Sequence, residues 1–158
     1  MKRILSAAII ASALLPTSAL AETAGKWKSG EINGFTRYWT TNNLGANFVV
    51  WCHPKRRING TLLHIDIDGK MPPPRSRIKL IMDREILELP INEQGYVETG
   101  CAACSDSFGY VWHRLRSSHS LAVKFQDDSY AGFSLRGAQK IIPGNVCPTD
   151  WQKQHPRS

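Results

Sequence analysis

The 158-residue chain lacks the short motifs on which several common activities depend. Residues 132–137 read GFSLRG, which is not the Gly-x-Ser-x-Gly of a serine nucleophile elbow. No glycine loop of the kind that cradles phosphates is present. Residues 66–69 read DIDG, but no glutamate stands at the twelfth position that a calcium loop requires. We therefore expect no enzyme activity, no catalytic residues, no cofactor and no metal.

Cysteine is also scarce: the chain has four, at positions 52, 101, 104 and 147. An even number of cysteines in an exported domain indicates two disulfides. One pairing joins Cys101 to Cys104 across a tiny loop and Cys52 to Cys147 across most of the domain. A crossed pairing, Cys52 with Cys101 and Cys104 with Cys147, remains possible from the sequence.

The Cys101-Ala-Ala-Cys104 motif has several possible meanings. Attachment of c-type haem requires histidine directly after the second cysteine, and Ser105 stands there. A zinc site requires a second ligand pair at motif spacing, which is lacking. A thiol oxidoreductase requires the cysteines at a helix N-terminus within a βαβ framework, but we expect the helix to begin at Ser105 or Asp106, after both cysteines. A structural disulfide is therefore the preferred interpretation.

No apolar run is long enough to span a membrane. The N-terminus has a basic start at Lys2 and Arg3, an apolar run over residues 4–15 and a small-residue cleavage signal over residues 19–21. This pattern is typical of a secretory signal peptide over residues 1–21. We expect a periplasmic or secreted protein with one domain over residues 22–148 and a flexible tail over residues 149–158.

The hydrophobic pattern predicts a mainly β domain. Leu63, Ile65 and Ile67 alternate with polar residues, as in a strand with one buried face. Further strands are predicted over residues 46–52, 77–83, 85–91, 95–100, 120–125 and 130–135. A stripe from Phe108 to Leu115 at helical spacing predicts one helix near residues 106–116, and residues 136–142 predict a short helical turn. The fold class is a β-sandwich or curled antiparallel sheet with one helix, α+β by strict count.

The net charge of +7 falls to +5 when Lys2 and Arg3 are removed with the signal peptide (7 − 2). The basic residues form two clusters, which we predict to make one anion-binding or partner-binding surface; they are Lys55, Arg56 and Arg57 in a turn, and Arg75, Arg77 and Lys79 on one strand face. A solvated strand edge that discourages aggregation would show the same pattern. We expect an anionic envelope polymer or a host or envelope protein as partner, and no nucleic acid.

Several of these residues resemble the invasion-associated locus B family of exported bacterial proteins. The matching positions are Trp51, Cys52, Gly100, Cys101, Ala103, Val123, Phe125, Asp127, Ser134, Leu135 and Gly137. The resemblance covers mainly the C-terminal third. It implies a periplasmic or surface-associated protein with a role in host-cell colonisation, and it implies no catalytic residues.

Three functional hypotheses follow. The first is an exported, non-catalytic binding or accessory protein of the bacterial envelope, linked to invasion or virulence. The second is a periplasmic inhibitor of a host enzyme such as lysozyme, although the basic charge argues against a basic target. The third is a thiol–disulfide oxidoreductase that uses Cys101 and Cys104.

Overall fold

The computed structural model describes residues 24–156. They form eight strands and three short helices. The proposed signal peptide, residues 1–21, lies outside the described residues. No helix within residues 24–156 is long and apolar enough to cross a membrane.

The strands form two four-stranded antiparallel sheets. The first has the order β1-β2-β3-β4, with β1 Lys28–Ile32, β2 Phe35–Thr41, β3 Asn47–Cys52 and β4 Thr61–Asp66. The second has the order β6-β5-β7-β8, with β5 Arg77–Met82, β6 Glu85–Pro90, β7 Ser120–Lys124 and β8 Tyr130–Ser134. The inner faces of both sheets share one hydrophobic core, so the predicted β-sandwich is confirmed.

The sandwich core follows from the period-two patterns. Phe48 of β3 packs edge to face against Phe133 of β8 and against Trp27, which joins the two sheets. Residues 95–100, predicted as a strand, contribute only an isolated bridge between Val97 and Ile91. That strand prediction is wrong because Val97 N–H is bonded to Leu63 O rather than to a continuous neighbouring strand.

Two strands at the start of the domain, β1 and β2, are absent from the sequence prediction. They form a hairpin closed by Asn33 and Gly34, with φ of 50° and 80°. Both positive values are typical of the two-residue turn that matches the twist of a hairpin. A Cβ on Gly34 would lie 2.9 Å from His53 Nε2, so glycine also keeps the β3 end close to the turn.

Helix α1 spans Ala102–Ser117 and is longer at its N-terminus than predicted. Its predicted stripe is buried, and Trp112, 1% exposed, contacts Tyr38 and donates from Nε1 to Pro143 O at 2.9 Å. The predicted helical turn is confirmed as α2, Ala138–Ile141. Since Cys101 is the N-cap, the expectation that the helix begins at Ser105 or Asp106 is wrong.

The segment expected as a flexible tail instead forms α3, Asp150–Gln154. Thr149 caps this helix through a reciprocal capping box with Gln152. Asp150 Oδ1 accepts from Gly60 N and Thr61 N, both at 3.1 Å, and thereby attaches α3 to the start of β4. Burial and hydrogen bonding therefore order this segment through residue 154.

Candidate functional site

The outer face of the first sheet carries large side chains where a solvated sheet usually carries small polar ones. The register places Arg37 of β2 opposite Trp51 of β3, while Trp39 lies on the same side two residues along. Phe35 continues this row and meets the Trp51 ring edge to face, with centroids 6.1 Å apart. We call these four residues, Phe35, Arg37, Trp39 and Trp51, the arginine–aromatic face.

Arg37 is the centre of this face. Its guanidinium carbon lies 3.8 Å from the Trp39 ring centroid and 5.3 Å from the Trp51 ring centroid. Both distances are within the range of a cation–π contact. Within residues 24–156 no carboxylate lies within ion-pair distance of this guanidinium. The two rings therefore hold a partly exposed cation in place without neutralising it.

The first predicted basic cluster lies beside this face. Lys55, Arg56 and Arg57 are exposed in the loop between β3 and β4, which we call the basic loop. The guanidinium carbon of Arg56 lies 5.8 Å from the Phe35 ring centroid. The loop doubles back tightly, since a Cβ on Gly60 would lie 2.2 Å from Arg56 O. Only glycine fits there.

The loop is also fixed from beneath by a lysine of α3. Lys153 Nζ donates to His53 O at 3.1 Å, to Arg56 O at 2.9 Å and to Thr61 Oγ1 at 3.0 Å. The Lys153 side chain is 7% exposed, and burial lowers its pKa, partly offset by Asp150 at 3.4 Å. The basic loop is thus held at both ends.

The second predicted basic cluster lies on the other sheet. Arg77 and Lys79 project from the outer face of β5, and both pair with Glu88, at 3.3 and 3.6 Å. Arg75 precedes the strand, has a φ of 59° and pairs with Glu93. The prediction that Arg75 shares one strand face with Arg77 and Lys79 is therefore wrong. Because the sheets pack face to face, this cluster lies across the sandwich from the basic loop.

His64 and Asp66 border the arginine–aromatic face on β4. His64 Nε2 lies 3.7 Å from Asp66 Oδ2, and burial lowers the pKa of His64 against the opposing effect of Asp66. Asp66 also accepts a hydrogen bond from Asn47 Nδ2 at 2.9 Å. Asp68 lies beyond the strand with a φ of 53°, so it does not join them. Within residues 24–156 no three His, Cys, Asp or Glu side chains gather as a metal site would require.

The structure contains two disulfides, Cys52–Cys147 and Cys101–Cys104. Their Cα atoms are 6.0 and 5.0 Å apart, respectively. Of the pairings that the sequence left open, this is the uncrossed one. Cys52–Cys147 joins the end of β3 to the segment before α3, directly beneath the basic loop. Disulfides are compatible with an extracytoplasmic location.

The fold and these cysteine pairs define the chain as a disulfide-bonded antiparallel β-sandwich with a helix packed against it. Its sequence matches the YfjT family over residues 25–142, well over half of the chain. The chain belongs to the YfjT family. Comparisons with curated proteins and with solved structures gave no significant match.

The arginine–aromatic face was missed by sequence reasoning. A signal was present, because Phe35, Arg37 and Trp39 recur at period two and so share one strand face. The contribution of Trp51 depends on the register between β2 and β3, which no local pattern specifies.

Proposed function

We propose that this chain is an exported binding protein of the bacterial envelope. We further propose that the arginine–aromatic face and the basic loop together bind an anionic polysaccharide of that envelope. The observation that carries the proposal is Arg37, a cation held against two indole rings without a carboxylate partner among the described residues.

The chemistry of the face suits a charged sugar polymer. An indole ring offers a broad apolar surface that can pack on the C–H side of a sugar ring. A guanidinium presents a planar fork of donors that matches a carboxylate or a phosphate with two parallel hydrogen bonds. Stacking fixes the Arg37 guanidinium beforehand, so less conformational freedom is lost when the anion binds.

The basic loop adds long-range attraction. Lys55, Arg56 and Arg57 are exposed, and Arg56 lies near Phe35. Their field extends over roughly one Debye length, about 8 Å at physiological salt. Asp66 borders this face and accepts a hydrogen bond from Asn47, and its single negative charge is outnumbered by Arg37 and the three cations of the basic loop. Charge complementarity thus favours an anionic polymer over a neutral one.

Location and biological role form part of the same proposal. The sequence pattern of residues 1–21 supports export, and the two disulfides are compatible with it. We propose that the protein acts in the periplasm or after secretion. The resemblance to the invasion-associated locus B family supports a contribution to host-cell invasion.

Binding to lipopolysaccharide and to neutral dextran tests the proposal. We expect binding to lipopolysaccharide that weakens as salt is raised, and none to dextran. Arg37→Ala should weaken binding about tenfold or more, which corresponds to about 1.4 kcal/mol. Lys79→Ala is the matched control, because Lys79 is an exposed cation on the opposite sheet.

Circular dichroism should show that both variants remain folded. If Arg37→Ala and Lys79→Ala lost the same affinity for lipopolysaccharide, the effect would be one of net charge, and the arginine–aromatic face would not be the binding site. Equal binding to dextran would overturn the choice of an anionic polymer.

A further inference from the structure

The Cys101–Cys104 disulfide lies within the first turn of α1. Cys101 is the N-cap, and its Sγ accepts a hydrogen bond from Cys104 N at 3.0 Å. The two sulfur-bearing residues differ in access: Cys101 is exposed, whereas Cys104 is 8% exposed. An exposed cysteine followed by a buried one on a helix N-terminus is the local arrangement that favours thiol–disulfide exchange.

The helix also stabilises the product of such an exchange. The N-terminus of a 16-residue helix carries a partial positive charge that favours a thiolate, and the first turn of α1 has no acidic residue to oppose it. Asp106 lies beyond this turn. The carboxylate of Glu98 accepts Gly100 N–H at 2.7 Å. A thiolate on Cys101 thus gains the Cys104 N–H bond and the helix dipole.

A groove lies next to this disulfide. It has a volume of about 390 Å³ and runs between the start of α1 and α3, with Ala102, Ser105, Asp106, Trp151, Gln152 and His155 as its lining. Trp151, half-buried, stacks on His155 with ring centroids 3.6 Å apart. Ala102 lines the groove and directly follows Cys101, so the groove begins one residue from the exposed cysteine.

The second disulfide offers a contrast within the same molecule. Cys147 is 3% exposed and packs against Thr61, and its bond to Cys52 links residues 95 positions apart. A reductant in solution therefore has readier access to the exposed Cys101 than to the buried Cys147 or the half-buried Cys52.

We propose that Cys101–Cys104 is a redox-active centre that exchanges with cysteine thiols of other exported proteins. A substrate thiolate attacks Cys101 Sγ, the intramolecular S–S bond breaks, and Cys104 leaves as a thiolate that takes a proton from water. A second substrate thiolate then attacks the substrate sulfur of the mixed disulfide and releases Cys101. Overall, a substrate dithiol becomes a disulfide, and Cys101–Cys104 accepts two electrons and two protons. An exported disulfide of higher potential reverses this step and restores the centre.

No parallel βαβ unit occurs among the strands of residues 24–156, so this proposal rests on the local geometry of α1 and not on a fold relationship. It is independent of polysaccharide binding, because the arginine–aromatic face lies on β2 and β3 and the groove lies between α1 and α3.

Equilibration with glutathione buffers, followed by alkylation and mass spectrometry, tests the first step. We expect Cys101–Cys104 to be reduced at least 100-fold more readily than Cys52–Cys147, with the circular dichroism of the protein unchanged. Reduction of both disulfides together, or of Cys101–Cys104 only after unfolding, would show a purely structural role.

Two single variants test the chemistry more directly. The substrate is unfolded ribonuclease A whose reduced thiols have been converted to mixed disulfides with a small thiol. The free Cys101 thiol of Cys104→Ala should attack these and trap a covalent complex. Cys101→Ala should trap at least tenfold less, because its remaining thiol is buried. Equal trapping by the two variants, or none by either, would overturn the assignment of Cys101 as the attacked sulfur.

The groove is tested with Trp151→Ala. We expect this change to slow exchange with ribonuclease A at least fivefold more than exchange with glutathione, which is too small to need the groove. Equal slowing of both reactions would remove the groove from the proposal.

Discussion

The attachment of α3 to the β3–β4 loop depends on one buried carboxylate. Asp150 Oδ1 accepts Gly60 N and Thr61 N and lies 3.4 Å from Lys153 Nζ. The side chains of Asp150 and Lys153 are 10% and 7% exposed, so water can replace little of what either would lose. Asp150→Ala therefore leaves a buried ammonium without its counterion and two backbone donors without their acceptor.

The expected cost follows from this geometry. Removing one member of a buried ion pair costs about 3–5 kcal/mol, because the other charge stays buried. Asp150→Asn retains an acceptor for the two N–H groups, so it should cost less than Asp150→Ala. Lys153→Met should cost least, about 1–3 kcal/mol. In this variant the Asp150 carboxylate still accepts from Gly60 N and Thr61 N, and the groups that lose the Lys153 ammonium are neutral oxygens such as His53 O and Arg56 O.

Urea unfolding of the oxidised protein measures these costs as changes in the free energy of unfolding. Lys140→Met is the matched control, because Lys140 is exposed on α2 and should change stability by no more than about 0.5 kcal/mol. A cost below about 1 kcal/mol for Asp150→Ala would refute the reasoning and restore the expectation of a loose tail.

Three further predictions concern the rest of the fold. The double variant Cys52→Ala, Cys147→Ala should lower the free energy of unfolding by roughly 4–5 kcal/mol, the chain-entropy estimate for a loop of this length. Urea unfolding measures this change, and an unchanged free energy of unfolding would contradict a stabilising role of the disulfide. Trp112→Ala should cost about 3–5 kcal/mol because the ring is fully buried, and an unchanged melting temperature would contradict its place in the core. Hydrogen bonds from the backbone N–H groups of His119 and Ser120 lower the pKa of Asp83 below its ordinary 3.8. The stability that the Asp83 carboxylate adds is therefore complete above about pH 3.8 and is lost as the pH falls through the lower pKa of the folded state. The melting temperatures of wild type and Asp83→Asn should therefore converge in acid, and a constant difference down to pH 2 would contradict this.

The strands that alternate apolar and polar residues were predictable, whereas β2 was not. In β2 the outward positions carry Phe35, Arg37 and Trp39, and the inward ones carry Tyr38 and the fully buried Thr40. The polarity pattern is therefore inverted relative to an ordinary half-buried strand. The period-two row of Phe35, Arg37 and Trp39 marks one face of a strand, but only the pairing with β3 reveals that this face points away from the core.

The start of α1 was mispredicted for a different reason. Ser, Thr, Asp and Asn are the usual N-caps, and Ser105 and Asp106 offered two of them. The structure instead uses the sulfur of Cys101, which is held in position by its bond to Cys104. By contrast, Thr149 and Gln152 have the spacing of a capping box, so α3 could have been predicted from its sequence.

The two disulfides suit different tasks because they close loops of very different size. In the chain-entropy account a cross-link stabilises a fold by restricting the unfolded chain, and the effect grows with loop length. Cys52–Cys147 spans 95 positions and lies beside the buried Lys153 contacts, where cross-linking supports the basic loop. Cys101–Cys104 spans three positions inside a helical turn that is already formed by backbone hydrogen bonds. Since this short bond adds little conformational restriction, and since one of its cysteines is exposed, its reduction would leave the sandwich intact. A bond that can open without unfolding the domain is the kind that exchange chemistry requires.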